Sequence, residues 1–226
     1  MKSVQAIVFD LDDTLYPERQ FVLSGFRAVA EWINENYAVQ DFFAVQEALF
    51  LDGKRGKIFD AALKHCGLPT ERPLLEAMLQ VYRSHMPQLE LFMDADLALT
   101  FCCGRYKTGL ITDGYAATQR NKVRALSLEA RLDAFVFSDD HGRENWKPSM
   151  IPYQEICRLL HVFGEECVYV GDNPDKDFIT ANSLGWKTIR ITRPGTEHEK
   201  KIALPKYEAN YTLRNLGDLP ELVAHL

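Results

Sequence analysis

Three carboxylates fall within four residues near the start of the chain, at Asp10, Asp12 and Asp13, directly after a mostly apolar run at residues 4–9. Carboxylates this close repel one another, and charge at the end of a buried strand is costly unless something offsets it. A divalent cation such as Mg2+ prefers oxygen ligands, so the pattern favours a metal ion at this point. On an extended backbone Asp10 and Asp12 point the same way, so one could act as nucleophile or ligand while the other transfers a proton. A short acidic turn facing solvent is the alternative for this motif taken alone.

Three later segments place polar residues where predicted strands end or helices begin. A strand leads into residues 112–114 (Thr-Asp-Gly), Lys147 precedes a proline, and an acidic cluster follows a strand at residues 170–177. Each segment alone is typical of a turn or of an exposed lysine at a helix start. Together with residues 10–14 they resemble, in order, the four motifs of the haloacid dehalogenase (HAD) superfamily, whose first motif reads DxDx followed by Thr or Val. The resemblance covers essentially the whole chain.

This resemblance implies an α/β fold with a Rossmann-like parallel sheet and an inserted α-helical cap of the C1 type. It also implies a phosphomonoester hydrolase in which Asp10 attacks phosphorus and forms an aspartyl-phosphate. Asp12 would protonate the leaving alcohol and then deprotonate the water that releases phosphate. Thr112 would hydrogen-bond a phosphate oxygen, and Lys147 would pair with both the phosphate and Asp10.

The resemblance further implies a bound Mg2+ ion. Its ligands would be the Asp10 carboxylate, the Asp12 main-chain carbonyl and Asp172. Asp177 matches the second acidic position of the family's GDxxxxD pattern, where it would bind the metal, act through water or orient its neighbours. Asp175 is expected instead in the first turn of the following helix, where the helix dipole favours negative charge. The implied substrate-binding residues in the core are Thr112, Asp113, Gly114 and Lys147.

Residues 20–86 are predicted to be helical, with no strand pattern among them. Apolar residues recur at spacings of three and four from Phe26 to Ile33, and Gly67 is a typical helix stop. We therefore expect a helical cap domain at residues 17–93 and an α/β core domain at residues 1–16 and 94–226. The predicted helices of the cap begin near residue 20 and then span 41–51, 57–66 and 71–86.

The rest of the chain alternates between strands and helices, which predicts parallel strands joined by right-handed crossovers. In such sheets, functional sites form beyond the carboxyl ends of the strands. Asp10, Thr112 and Asp172 all follow predicted strands, so we expect them to meet in one crevice. The predicted strands are 4–9, 107–112, 134–138, 166–170, 187–191 and an edge strand at 207–212, and the predicted helices are 94–103, 116–126, 148–160, 175–184 and 216–226.

Residues 51–57, between two predicted helices, contain two glycines and three cations. A solvated turn is the usual explanation of such a charged run. The alternative is a cap loop in which Arg55 binds an anionic part of the substrate. In that case Arg55→Ala should raise KM for the natural substrate and spare a generic aryl phosphate. Steady-state kinetics with both esters would decide, and equal effects on the two would exclude the substrate-binding role.

The composition excludes several classes of partner. A net charge of −6 and a pI near 5.6 argue against a nucleic-acid or anionic-membrane surface. The sequence has neither a signal-peptide pattern nor a long apolar span, so we expect a cytoplasmic protein. Its five cysteines lack CxxC spacing and are expected to be reduced thiols. We expect a monomer or a weak homodimer.

The motifs favour a Mg2+-dependent phosphatase acting on a small phosphorylated metabolite. Asp12 argues against two relatives within the superfamily, because dehalogenases lack this aspartate and phosphonate hydrolases have a small residue there. A phosphomutase of the β-phosphoglucomutase type keeps both aspartates and remains open. A non-catalytic domain that binds a phospho-ligand or a protein partner is the alternative from another class. The metabolite could be a sugar phosphate, a nucleotide, phosphoglycolate or an amino-alcohol phosphate.

Overall fold

A computed structural model describes residues 3–226, and the chain divides into two compact units. One unit comprises the described residues up to Glu18 together with Leu89–Leu226, and the other is Arg19–Gln88. The boundaries expected from the sequence, after residues 16 and 93, lie close to these. The smaller unit is therefore an insertion between the first and second strands of the larger one.

The inserted unit is built from helices that pack their apolar faces together. In the first of them, Phe26, Val29, Ala30 and Ile33 are all buried, as their spacing along a helix requires. They pack with apolar residues of the other three helices, among them Phe42, Leu63 and Met78, in one hydrophobic core. The helices are α1 (Glu18–Tyr37), α2 (Phe42–Leu51), α3 (Ile58–His65) and α4 (Arg72–Ser84).

The larger unit contains one six-stranded, fully parallel sheet. Its strands are β1 (Ala6–Phe9), β2 (Lys107–Thr112), β3 (Ala134–Phe137), β4 (Cys167–Gly171), β5 (Lys187–Ile191) and β6 (Tyr211–Leu213). Their spatial order is β3-β2-β1-β4-β5-β6. Every residue of β1 and β4 is buried, which is typical of central strands covered by helices on both faces. The predicted α/β fold with a Rossmann-like parallel sheet is confirmed.

Helices follow the strands along the chain and complete this unit. They are α5 (Met93–Cys102), α6 (Ala116–Ala125), α7 (Met150–Leu160), α8 (Ile179–Ser183) and α9 (Leu219–Val223). The strands at 107–112 and 187–191 have the predicted bounds. The predicted tail elements at 207–212 and 216–226 are shorter than expected, as β6 and α9.

Two predicted helix starts were wrong. Helix α7 begins at Met150 rather than at Pro148, because the Ser149 side chain caps it by accepting a hydrogen bond from the Ile151 N–H. Helix α8 begins at Ile179 rather than at Asp175, since residues 174–176 form a turn first. The dipole argument for Asp175 therefore does not apply.

All five cysteines lie in the described part of the chain and are free thiols. Across residues 3–226, no helix combines the length and the apolar character needed to cross a bilayer.

Candidate active site

The register of the three central strands brings distant residues to one edge of the sheet. Phe9, the last residue of β1, lies opposite Leu110 of β2 and Val170 of β4. The next residue, Asp10, donates its main-chain N–H to the carbonyl of Val170 at 2.8 Å. Asp10 and the ends of β2 and β4 therefore share the carboxyl edge of the sheet, where parallel α/β folds place their sites.

Lys147 lies at the centre of this edge as a fully buried cation. Its Nζ is 2.5 Å from Oδ1 of Asp10 and 2.8 Å from Oδ1 of Asp177, and it donates to the Tyr169 hydroxyl at 2.9 Å. Burial lowers the pKa of Lys147, but the two carboxylates outweigh burial and hold that pKa well above its ordinary value. Burial raises the pKa of Asp10 to about 6, with repulsion from Asp177 adding to it and Lys147 opposing it.

Three buried carboxylates converge beside this lysine. Asp10, Asp172 and Asp177 each offer an oxygen atom within 4.8 Å of the others, a set that could hold a metal ion. Burial and the charges of Asp10 and Asp177 raise the pKa of Asp172 well above its ordinary value. Asp177 accepts hydrogen bonds from the Asn173 N–H at 2.9 Å and from the Tyr169 hydroxyl at 3.5 Å, whereas Asp172 receives no hydrogen bond from residues 3–226. Three ionised carboxylates would exceed the charge of this one lysine, and their mutual repulsion contributes to the raised pKa values of Asp10 and Asp172.

Gly171 permits this arrangement. A Cβ at that position would lie 2.6 Å from Oδ2 of Asp177, so a side chain would displace the carboxylate. This close approach explains why glycine precedes Asp172.

The Asp12 carboxylate lies outside the three-carboxylate group and is surrounded by donors. Lys122 Nζ is 2.7 Å from its Oδ1, Gln119 Nε2 is 3.0 Å from its Oδ2, and the Tyr16 hydroxyl also donates to Oδ1. Burial raises the pKa of Asp12, but the charge of Lys122 and these hydrogen bonds outweigh burial, and the pKa lies below its ordinary value. Gln119 and Lys122 were not predicted as site residues, because nothing in their local sequence distinguishes them from other helix residues.

Thr112 and Asp113 follow β2 at the same edge. The Thr112 hydroxyl oxygen accepts a hydrogen bond from Gln119 Nε2 at 2.5 Å. Asp113 accepts from the Lys147 N–H at 3.1 Å and pairs with Lys176 Nζ at 2.9 Å. Asp113 thus connects the loops that carry the two lysines, and it also lines the cavity above the site, so its predicted contact with substrate stays a prediction.

A cavity of about 310 Å³ opens over these groups. Its lining includes residues that the four motifs did not indicate, among them Glu18 and His198. Burial and the charge of Asp12 raise the pKa of Glu18 to about 7, whereas burial lowers the pKa of His198. The lining residues are Asp10, Asp12, Asp13, Glu18, Asp113, Gly114, Trp146, Lys147, Asp172, Asn173, Lys176 and His198.

Arg55 lies in the helical unit, in the loop after α2. Its guanidinium donates to the carbonyls of Phe50 and Lys54, both at 3.0 Å, and stacks on the Phe50 ring at 4.3 Å. Within its own unit this cation therefore contacts the end of α2 and its own loop.

A family model described as "Haloacid dehalogenase-like hydrolase" matches residues 7–191. The chain belongs to this family. The span includes all four HAD motifs, so the resemblance inferred from the sequence is confirmed, as is the assignment of the chain to the hydrolases.

The curated relatives of this HAD hydrolase include phosphatases. It is 31% identical over 199 residues to a glyceraldehyde 3-phosphate phosphatase of Methanopyrus kandleri, covering 84% of each chain. It is 25% identical over 241 residues to the human N-acylneuraminate-9-phosphatase, covering 99% of this chain and 95% of the relative. Among solved structures, the magnesium-bound form of Bacillus subtilis YfnB superposes with a TM-score of 0.68 at 18% identity, covering 98% and 99% of the two chains. The last similarity shows the shared fold.

Proposed function

We propose that this HAD hydrolase is a Mg2+-dependent phosphatase that releases phosphate from a small phosphorylated metabolite through an aspartyl-phosphate on Asp10. The observation that carries this proposal is the buried pairing of Asp10 with Lys147 at the carboxyl edge of the sheet. A carboxylate held there beside one cation, with the Thr112 hydroxyl at the end of the adjacent strand, suits nucleophilic attack on an anionic ester. The names of the curated relatives support the same reaction class.

The residues at this edge fit a divalent cation. The Asp172 carboxylate is buried and receives no hydrogen bond from the described residues, while two further carboxylates lie close to it. Asp10, Asp172 and the main-chain carbonyl of Asp12 would hold Mg2+. Asp177 is engaged by Lys147 and the Asn173 N–H, which favours an orienting role for it. When bound, the ion would offset the negative charge of the carboxylates and of the phosphate oxygens.

The chain's own residues would then divide the reaction between them. Asp10 attacks phosphorus, while the Lys147 ammonium offsets the charge that develops on the phosphoryl oxygens. The Thr112 hydroxyl donates to one of those oxygens. Asp12 would enter this step protonated, although its surrounding donors favour the ionised form in the free site. It would give that proton to the departing alcohol oxygen and regain one from the water that attacks the aspartyl-phosphate, so each cycle ends as it began.

We propose a sugar or sugar-acid substrate that carries its phosphate on a terminal carbon. The names glyceraldehyde 3-phosphate phosphatase and N-acylneuraminate-9-phosphatase both describe hydrolysis of such an ester in relatives of this chain. The helical unit Arg19–Gln88 is proposed as the cap domain that selects the substrate. The free cysteines support a cytoplasmic location.

Metal removal is the first test of this function. Phosphate release should be measured from a panel of sugar phosphates, nucleotides, phosphoglycolate and amino-alcohol phosphates, with Mg2+ and with EDTA. We expect release that EDTA abolishes and added Mg2+ restores, with the highest kcat/KM among terminal sugar phosphates. Release that is unaffected by EDTA would contradict the metal assignment.

The same panel separates the alternatives. Interconversion of sugar phosphates that depends on a hexose 1,6-bisphosphate would indicate a phosphomutase. A folded protein that turns over none of the esters with any divalent metal would indicate a binding domain. Faster turnover of phosphopeptides than of every small ester would contradict the metabolite proposal.

A further inference from the structure

Helix α6 turns a polar face toward the interior of the α/β unit. Its buried residues are Thr118, Gln119, Lys122 and Val123, of which only the valine is apolar. Gln119 is 1% exposed and Lys122 is 3% exposed. Burying a primary amide and an ammonium group is costly unless their donors find partners. The hydrogen-bond partners of Gln119 and Lys122 therefore indicate the role of this buried polar face.

Both side chains reach the Asp12 carboxylate, one oxygen each. Lys122 Nζ lies 2.7 Å from Oδ1 and Gln119 Nε2 lies 3.0 Å from Oδ2. The two residues are three positions apart, so they lie on the same face of the helix. The Tyr16 hydroxyl is a third donor and also contacts Oδ1. Both carboxylate oxygens therefore accept hydrogen bonds, which fixes the orientation of the Asp12 side chain.

Gln119 also connects Asp12 with Thr112. An ionised carboxylate can only accept, so with Asp12 in this form the amide nitrogen of Gln119 faces it, and the second N–H of that amide is directed at the Thr112 oxygen 2.5 Å away. A hydroxyl oxygen that accepts in this way keeps its own proton for another acceptor. The amide thus leaves the Thr112 proton available for a phosphate oxygen.

Gly114 provides the space for this amide. Its φ of +118° is unfavourable for other residues, and a Cβ there would lie 3.2 Å from Cδ of Gln119 and 3.3 Å from its Oε1. A side chain at position 114 would therefore press on Gln119.

We propose that Gln119 and Lys122 are positioning residues for departure of the leaving group, acting through Asp12. Lys122 and Gln119 hold the Asp12 carboxylate in one orientation, and Gln119 sets the hydroxyl of Thr112 as a donor to the phosphate. This proposal rests on the proposed phosphatase function. It adds to that function a pair of helix residues that do not contact the reacting phosphorus.

The test compares two esters that differ in their need for a proton. The alkoxide of an alkyl phosphate must be protonated as it leaves, whereas p-nitrophenolate leaves as a stable anion. We expect Lys122→Met to lower kcat/KM for the preferred sugar phosphate by about 100-fold, the range of general acid catalysis, and to change that for p-nitrophenyl phosphate only a few-fold. This constant covers the steps up to departure of the leaving group.

Matched variants separate positioning from folding. Arg124→Met removes a cation from an exposed position of the same helix and should leave both rates unchanged. In the Asp12→Asn background, Lys122→Met should add little further loss on the sugar phosphate, because its effect passes through Asp12. Should Lys122→Met not fold, as judged by its circular dichroism, Gln119→Met carries the same comparison, with an expected selective loss of about tenfold.

The outcomes are distinguishable. A selective loss on the sugar phosphate supports the proposal. Equal losses on both esters, with normal release by the wild-type enzyme, overturn the positioning role alone. Absence of release from either ester by the wild-type enzyme with Mg2+ overturns the proposed phosphatase function, and this proposal with it.

Discussion

Asp10→Asn should abolish phosphate release, lowering kcat/KM by on the order of 10⁴- to 10⁶-fold, as loss of an enzymic nucleophile does. Asparagine keeps the shape of the side chain but cannot form the acyl-phosphate. The measurement is phosphate release from the best substrate of the panel, together with rapid acid quenching and mass spectrometry of the protein. The wild-type protein should carry a phosphoryl group on Asp10 during turnover, and the variant should carry none.

Asp175→Asn is the matched control for this substitution. Asp175 is an exposed acidic residue of the same acidic segment as Asp172, and its carboxylate pairs with Lys201. Neutralising it should leave kcat/KM within a few-fold of wild type, because surface ion pairs contribute little. An Asp10→Asn protein that kept a tenth of the wild-type rate would rule out Asp10 as the nucleophile.

Lys147→Met should lower both activity and metal-free stability, and it should increase the stabilisation that Mg2+ provides. Activity should fall by about 10²- to 10³-fold, because a preorganised charge next to the phosphoryl oxygens is lost. Without metal, the free energy of unfolding should fall by about 3–5 kcal/mol, as when one partner of a buried ion pair is removed. Mg2+ should then stabilise the variant more than it stabilises the wild type, because Asp10 and Asp177 have lost their shared cation.

Urea unfolding of both proteins in EDTA and in saturating Mg2+ measures this difference. Lys201→Met serves as the control, because it removes an ammonium group from a partly exposed ion pair and should change stability by less than about 1 kcal/mol. If Mg2+ stabilised Lys147→Met less than it stabilises wild type, the lysine would be part of the metal-binding arrangement rather than a competing cation.

Helices and strands could be predicted from the local sequence pattern wherever they were long or strongly periodic. The strands at 107–112 and 187–191 are rich in the β-branched residues typical of strands, and the structure has them with the predicted bounds. The start of α8 could not be predicted from the local sequence pattern. The turn before it is held by the Asp177 carboxylate on the Asn173 N–H, and local helix propensity contains no information on that bond.

The sequence by itself determined the family, the parallel α/β fold and the convergence of Asp10, Thr112 and Asp172 at one sheet edge. The family follows from the four motifs and their order along the chain. The fold and the convergence follow from the alternation of strands and helices, because a parallel sheet brings the carboxyl ends of its strands to one edge.

Only the tertiary structure decided what surrounds each of these groups. Lys122 and Gln119 contact Asp12 across 110 and 107 positions of sequence, and Asp113 contacts Lys147 and Lys176 across 34 and 63 positions. Side chains so distant in sequence meet only because the sheet fixes where their loops and helices begin. Their partners, and hence the charge and pKa of each group, therefore depend on packing that no local pattern specifies.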